Sequence, residues 1–253
     1  MTMPKAAGTR PVRCALLALA FLALPATARA ACADRVFEER TFTVCEVAAG
    51  EDLRIFQTAP DGAPFGTFAR INDALATEGR TLGFAMNAGM YHPDRAPVGL
   101  MIEDGTQRAP LVTSDGPGNF GLLPNGVFCI AGRFSIVESR AFAKASPGCR
   151  YATQSGPMLV IDGRVHPRFI AASPSRYIRN GVGVSADGGT AWFVVTRDRV
   201  NFTEFARFFR DALGTPQALY FDGNVSRLYA PGIGRDDIGF RMGPIVGTVV
   251  PAG

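Results

Sequence analysis

Short apolar segments separated by turn-forming residue pairs fill the middle of this chain, and this pattern constrains its fold more than any other feature. Four pairs of Asp-Gly or Asn-Gly stand between candidate strands: Asp104-Gly105, Asn125-Gly126, Asp162-Gly163 and Asp187-Gly188. Such pairs readily adopt the positive φ angles that tight β-hairpins need. The pattern therefore predicts a sheet whose neighbouring strands run largely antiparallel.

Two helices are predicted to interrupt the strands. The first covers about residues 67–78 and places its apolar residues on one face. The second begins at Asn201, whose spacing from Glu204 matches a capping box, and ends at Gly214. The predicted fold class is α+β, with a mixed, largely antiparallel β-sheet core and a few packed helices in a single domain. Two closely joined lobes would suit the same length.

The N-terminal 30 residues match a cleavable secretory signal peptide. Basic residues come first, an apolar run follows from Cys14 to Leu24, and small residues lead to Ala30. This run is about a dozen residues long, whereas a membrane-spanning helix needs about 20. We expect residues 1–30 to be removed, leaving one domain at residues 31–253 in a periplasmic or secreted protein without a membrane span.

Removal of this segment changes the charge of the chain. Four of the 26 basic residues lie within it, and none of the 22 acidic residues does. The mature chain is therefore close to neutral. Composition gives no reason to expect binding to nucleic acid or to anionic lipid, so a ligand must be recognised by local chemistry. The oligomeric state is left open.

Four cysteines remain after the predicted cleavage, and an even number in an exported chain permits two disulfides. The short separations favour Cys32 with Cys45 and Cys129 with Cys149. Lipid attachment at Cys32 is an alternative, although Arg29 occupies a position where a lipoprotein signal has an aliphatic residue. No cysteines show close ligand spacing and the two histidines lie far apart, so we expect no metal and no other cofactor.

Four polar, glycine-containing motifs follow or open predicted strands. They are Asn87-Ala88-Gly89-Met90-Tyr91, Gln154-Ser155-Gly156-Pro157, Arg179-Asn180-Gly181-Val182 and Phe221-Asp222-Gly223-Asn224-Val225-Ser226. In this order and spacing they resemble the phosphodiester glycosidase family, over about residues 83–250 and closest to its exported bacterial branch. The family's Asp-Gly-Gly-Gly-Ser carries side chains here at Asn224 and Val225, and its Asn-Gly-Gly-Phe is Asn-Ala-Gly-Met. The substrate pocket should therefore differ.

The resemblance implies a hydrolase that releases a sugar from a sugar-1-phosphate diester, either a small molecule or a polymeric phosphoglycan. The leaving group is a stable phosphate monoester, so charge stabilisation matters more than a strong general acid. Arg179 stands where the family has its motif arginine, and its guanidinium would hold phosphate oxygens. Asp222 would be the catalytic carboxylate, ionised at neutral pH because the reference pKa is about 3.9.

Seven further residues are assigned to substrate binding by the same resemblance: Asn87, Gln154, Ser155, Asn180, Gly223, Asn224 and Ser226. The amides would hold sugar hydroxyls, and the serines would donate hydrogen bonds to phosphate.

Each of these assignments has a simpler alternative. Asp222-Gly223 could be another hairpin turn, Asn87 could cap a turn, and Arg179 could form a surface ion pair. Gln154 and the two serines could satisfy backbone groups.

Two other classes of function remain open. The first is a non-catalytic envelope module that binds a glycan or phosphoglycan, and the side chains at Asn224 and Val225 favour it. Retention of Arg179 and Asp222 favours the enzyme, because a carboxylate repels an anionic ligand and binding alone would tolerate its loss. The second is a structural partner in an envelope assembly, which would require a large exposed apolar patch.

Overall fold

The computed structural model describes residues 1–3, 31–222 and 225–253. The described strands are, in chain order, β1 (Ala31–Phe37), β2 (Arg40–Ala48), β3 (Leu53–Phe56), β4 (Arg80–Asn87), β5 (Met101–Glu103), β6 (Thr106–Ala109), β7 (Gly126–Ile130), β8 (Phe134–Glu138), β9 (Tyr151–Ser155), β10 (Met158–Ile161), β11 (Arg164–Val165), β12 (Asn180–Val184), β13 (Thr190–Thr196), β14 (Gln217–Tyr220), β15 (Leu228–Ala230), β16 (Arg235–Asp236) and β17 (Ile245–Pro251). The described α-helices are α1 (Phe68–Ala76), α2 (Ser139–Ala145) and α3 (Phe202–Arg207), and α3 continues as a π-helix over Phe208–Ala212.

Three sheets contain these strands. Their strand orders are β1-β2-β13-β12-β14-β10-β11, β16-β15-β4-β17-β3 and β6-β5-β9-β7-β8. Every strand pair within the three sheets runs antiparallel. The predicted α+β class with a largely antiparallel core is confirmed.

Three of the four predicted hairpin turns are confirmed. Asp104-Gly105 joins β5 to β6 and Asp162-Gly163 joins β10 to β11, with positive φ at all four residues. Asp187-Gly188 lies in the connection between β12 and β13. Local turn chemistry was sufficient at these positions because each pair connects strands that are neighbours in one sheet.

The fourth hairpin prediction is wrong. Gly126 is the first residue of β7, where it pairs with Glu138 on one side and Ser155 on the other. Asn125 is fully buried, and its side-chain amide donates a hydrogen bond of 3.1 Å to the Phe120 carbonyl oxygen. Tertiary packing therefore overrides the local turn preference of this pair.

Both predicted helices are present. Thr67 caps α1 by accepting a hydrogen bond from the Arg70 amide. At α3 the predicted capping box is confirmed, because the Asn201 and Glu204 side chains each accept a hydrogen bond from the other's backbone amide. The helical segment ends before Gly214, whose φ of +67° suits a glycine.

One aromatic core joins the three sheets. Phe193 of β13 lies with its ring centroid 5.3 Å from that of Phe84 in β4 and 5.6 Å from that of Phe128 in β7. The Phe128 centroid is in turn 6.5 Å from that of Phe221, directly after β14. Because a single packed cluster connects all three sheets, they form one domain.

The structure contains both disulfides that the sequence spacing favours. Cys32 and Cys45 join directly paired positions of β1 and β2, and Cys129 of β7 is joined to Cys149 just before β9. Lipid attachment at Cys32 would need the sulfur that this disulfide uses. The predicted signal peptide lies, apart from its first three residues, outside the described residues. None of the described helices is long and apolar enough to cross a membrane.

Candidate active site

The ends of strands from all three sheets meet around the segment that carries Asp222. β4 ends at Asn87, β9 ends at Ser155, and β12 begins at Asn180. β14 ends at Tyr220, two residues before Asp222. The next strand after Asp222 belongs to a different sheet, so Asp222-Gly223 is not a hairpin turn between neighbouring strands. The fold thereby brings the four sequence motifs together.

Asn180 and Asn87 anchor this segment on both sides. The Asn180 side-chain oxygen accepts a hydrogen bond of 3.3 Å from the Asp222 backbone amide. Asn87 Nδ2 donates to the Val225 carbonyl oxygen at 2.7 Å, and Asn87 Oδ1 accepts from the Arg227 amide at 3.0 Å. Both asparagines are fully buried. They therefore fix the backbone that follows β14 and precedes β15.

Two serines add contacts to the same segment. The Ser155 hydroxyl is buried and donates a hydrogen bond to the Phe221 carbonyl oxygen. The Phe221 amide donates to the Asn180 carbonyl oxygen at 3.1 Å. The Ser226 hydroxyl is partly exposed and donates to the Ile178 carbonyl oxygen at 3.2 Å. Of the two hydroxyls, only that of Ser226 lies where a ligand could reach it.

Gln154 has all of its side-chain hydrogen-bonding groups occupied. Its Oε1 accepts from the Leu100 amide at 2.9 Å and from the Val112 amide at 3.0 Å. Its Nε2 donates to the Ser139 hydroxyl at 2.8 Å and to the Val112 carbonyl oxygen at 2.5 Å. The residue is buried and joins the loop around Val112 to β9. Gly223 and Asn224, also predicted to bind substrate, lie outside the described residues.

Arg179 lies beneath the surface and is only 2% exposed. Its guanidinium donates to the Val200 carbonyl oxygen at 2.9 Å, to the Ser175 carbonyl oxygen at 3.0 Å and to the Tyr220 hydroxyl at 3.3 Å. Its Cζ atom lies 3.8 Å from the ring centroid of Phe202. Burial lowers the pKa of this guanidinium. A phosphate could reach Arg179 only if several of these contacts broke, and the residue is not a surface ion-pair partner.

Two tyrosines experience the negative charge of Asp222, which is itself partly exposed. Burial raises the pKa of Tyr220 to about 12, with a further upward effect from Asp222 that the Arg179 guanidinium opposes. Burial also raises the pKa of Tyr91, again with a contribution from Asp222, while Arg95 and Arg227 act in the opposite direction. Tyr91 therefore lies within electrostatic reach of both one carboxylate and two guanidinium groups.

Arg227 is a candidate site residue that sequence reasoning missed. Burial lowers the pKa of its guanidinium, and no residue in the described part of the chain forms a salt bridge with it. The guanidinium lies against Gly239, where an added Cβ would stand 2.5 Å from Nη2. Its position directly after Ser226 was the only signal in the sequence, because its side-chain environment comes from residues distant along the chain.

Arg227 opens onto a groove of about 550 Å³ beside the Asp222 segment. The residues that line this groove are Val225, Ser226, Arg227, Asp236, Asp237, Ile238 and Phe240. The charge of Asp237 acts on Arg227, but no carboxylate of the described residues lies within salt-bridge distance of its guanidinium. Such a guanidinium can donate hydrogen bonds to an anion such as phosphate. Among the described residues, no group of three potential metal-ligating side chains occurs.

Residues 80–237, which include Asn87, Asn180, Asp222 and Arg227, match the family model for phosphodiester glycosidase. The chain belongs to the phosphodiester glycosidase family. An Escherichia coli (strain K12) protein, the uncharacterised YigE, is 36% identical over 219 residues, which cover 85% of this chain and 84% of the relative.

Two solved structures share the fold of this phosphodiester glycosidase family member. One is the catalytic domain of zebrafish N-acetylglucosamine-1-phosphodiester α-N-acetylglucosaminidase, auto-inhibited by its pro-peptide. It matches with a TM-score of 0.56 and 15% identity over 86% of this chain and 81% of that one. The other is a Burkholderia pseudomallei protein described as exported, with a TM-score of 0.51 and 12% identity over 84% and 74% of the two chains.

Proposed function

We propose that this member of the phosphodiester glycosidase family is an exported hydrolase that releases a sugar from a sugar-1-phosphate diester. One observation carries the proposal: a partly exposed carboxylate, Asp222, and a guanidinium that forms no salt bridge with the described residues, Arg227, both act on the Tyr91 phenol. Two buried asparagines anchor the segment between them. A negative group for a cationic sugar and a positive group for phosphate thus lie within electrostatic reach of one tyrosine.

The proposed reaction breaks the bond between the anomeric carbon and the phosphate oxygen. A water molecule attacks the anomeric carbon, and its proton passes to the Asp222 carboxylate. The bonding electrons leave with the phosphate monoester, whose negative charge the Arg227 guanidinium stabilises. Asp222 also opposes the positive charge that develops on the sugar ring in the transition state.

In this proposal Arg179 does not hold phosphate. It is a buried residue that positions a tyrosine of the site. Its guanidinium contacts the Tyr220 hydroxyl, and the charge of Asp222 acts on the same phenol. Tyr220 is the last residue of β14, and Asp222 follows it two residues later. Arg179 therefore fixes the tyrosine beside the carboxylate, and the phosphate contact moves to Arg227.

Export is part of the proposal. The two disulfides are typical of proteins in an oxidising compartment, and one solved neighbour is described as exported. The N-terminal sequence supports the same assignment through its basic residues, its short apolar run and the small residues before Ala31.

A second candidate function is a non-catalytic module that binds a glycan or a phosphoglycan. The observation that favours it is Val225, which stands where the family has glycine and packs against the same apolar cluster as Tyr91. This side chain occupies space that a substrate could otherwise use. Arg227 would serve the same anion-binding purpose in such a module.

The experiment is release of free sugar by the purified mature protein from a panel of sugar-1-phosphate diesters. We expect turnover by the wild type and a loss of at least about a thousandfold in Asp222→Asn, with an unchanged melting temperature. Ser185→Ala, in an exposed turn away from the site, is the matched control. Saturable binding without turnover in any diester would assign the protein to the binding-module class.

A further inference from the structure

The groove beside Arg227 carries two strongly exposed apolar side chains. Ile238 is 92% exposed and Phe240 is 85% exposed, and both line the same groove as Arg227. Single exposed apolar residues are common on proteins and need no explanation. Here the two lie next to a partly desolvated cation in a groove large enough for a small ligand.

The segment that presents these side chains is anchored at both ends. The Asp237 amide donates to the Leu228 carbonyl oxygen at 3.0 Å, and the Met242 amide donates to the Gly66 carbonyl oxygen at 2.8 Å. Gly239 lies between the two apolar residues, in contact with the Arg227 guanidinium. The backbone that carries Ile238 and Phe240 is thus tied to the rest of the fold on both sides and passes beside Arg227 at Gly239.

The charges of the groove suit a ligand with a single anionic group. Asp237 is neutralised by Arg235, whose guanidinium donates to both of its carboxylate oxygens. Asp236 is exposed and lines the same groove. A ligand with further phosphates beyond the one at Arg227 would approach the Asp236 carboxylate, and that repulsion disfavours polyanionic ligands.

We infer that this groove binds the alcohol side of the phosphodiester, and that the preferred alcohol is an alkyl chain. The inference rests on the proposed function, because it places the phosphate at Arg227 and the sugar toward Asp222. An alkyl chain that leaves Arg227 along the groove covers Ile238 and Phe240 and removes their apolar surface from water. A polyhydroxylated alcohol at the same place would gain little from these two side chains.

The test compares two diesters of N-acetylglucosamine 1-phosphate, one with octanol and one with glycerol as the alcohol. We expect wild-type kcat/KM to be at least about tenfold higher for the octyl diester, because several methylene groups are buried. The double variant Ile238→Ser/Phe240→Ser should lower this ratio to near one. Ile170→Ser is the matched control, since Ile170 is 71% exposed and lies outside the groove. It should keep the wild-type ratio.

Equal kcat/KM values for the two diesters in the wild type would overturn the inference while supporting the proposed function. Absence of hydrolysis of both diesters would count against the proposed function. The inference about the groove would then be tested by the binding of two phosphate monoesters. We expect octyl phosphate to bind the wild type at least about tenfold more tightly than glycerol phosphate. Equal binding of these two monoesters, or an unchanged preference in the double variant, would show that the groove does not recognise an alkyl chain.

Discussion

The Asn180 side-chain amide donates a hydrogen bond of 3.0 Å to the backbone carbonyl oxygen of Asn87. This bond connects the residue that anchors Asp222 to the residue that anchors Arg227. The two asparagines are 93 residues apart in the chain and belong to different sheets. This buried contact between sheets is therefore one of the contacts that fix the position of the proposed carboxylate relative to the proposed phosphate-binding group.

Asn180→Ala should reduce both stability and activity. The substitution leaves the Asn87 carbonyl oxygen and the Asp222 amide without their protein partner, which costs about 1–3 kcal/mol of unfolding free energy. We expect kcat/KM to fall by at least about tenfold, because displacement of the Asp222 segment misplaces the carboxylate. Urea unfolding and steady-state kinetics measure the two effects. A variant with wild-type kcat/KM would show that the contact does not position the site.

Local sequence signals predicted much of this fold but not its first hairpin. Glu38 and Glu39 both have positive φ in the turn between β1 and β2. Glutamate is not a residue that favours this conformation, so no turn signal marks the hairpin in the sequence. The Cys32–Cys45 disulfide and the pairing of β2 with β13 hold this hairpin against the sheet, and both are tertiary effects.

The motifs predicted which segments meet at the site, but not which side chains reach solvent. Arg179 begins one motif and Arg227 directly follows another, yet the first is buried among aromatic rings and the second lines a groove. Burial of Arg179 depends on Phe202 and Tyr220, which come from a helix and a strand far along the chain. Sequence spacing alone contains no information about such packing.

Arg179→Met should mainly lower stability, whereas Arg227→Met should mainly lower catalysis. Arg179→Met removes the donor for two backbone carbonyl oxygens and the Tyr220 hydroxyl, so we expect it to lower the unfolding free energy by about 2 kcal/mol or more. Arg227→Met removes no hydrogen bond made by a side chain to the described residues, and its stability should stay within about 0.5 kcal/mol of the wild type.

The same two variants should also differ in kcat/KM and in their inhibition by phosphate. Arg227→Met should lower kcat/KM by about a hundredfold or more, because it removes the charge that stabilises the leaving phosphate. Inorganic phosphate should inhibit Arg179→Met as strongly as it inhibits the wild type, whereas inhibition of Arg227→Met should be weaker by at least about tenfold. If phosphate inhibited Arg227→Met as strongly as the wild type and Arg179→Met more weakly, the phosphate contact would be assigned to Arg179.

Gly89→Ala tests how closely the motif that contains Gly89 packs against the strand that carries Gln154. An added Cβ at this position would stand 2.4 Å from the Thr153 hydroxyl oxygen and 2.5 Å from the Gln154 carbonyl oxygen. Because the second atom belongs to the backbone of β9, the strand must shift, and we expect a loss of about 1–3 kcal/mol in unfolding free energy. Gly148→Ala is the control, since nothing lies within 4 Å of its added Cβ. Equal unfolding curves for the two variants would contradict the prediction.

Tyr220 should make the folded protein sensitive to alkaline pH. Burial raises its pKa from 10.0 to about 12 in the folded state, so the unfolded chain releases the phenolic proton first as pH rises. The stabilisation is fully present below about pH 10 and is lost as pH rises toward about 12. A difference of about two units corresponds to roughly 2–3 kcal/mol.

Comparison of the wild type with Tyr220→Phe isolates this effect, because the phenylalanine cannot titrate. We expect the wild type to lose about 2–3 kcal/mol more unfolding free energy than the variant between pH 9.5 and pH 12, measured by urea denaturation at each pH. Tyr177→Phe provides the control, since Tyr177 is 50% exposed although it also contacts Arg179. Parallel pH profiles for the wild type and Tyr220→Phe would mean that the Tyr220 phenol ionises as readily in the folded protein as in the unfolded chain.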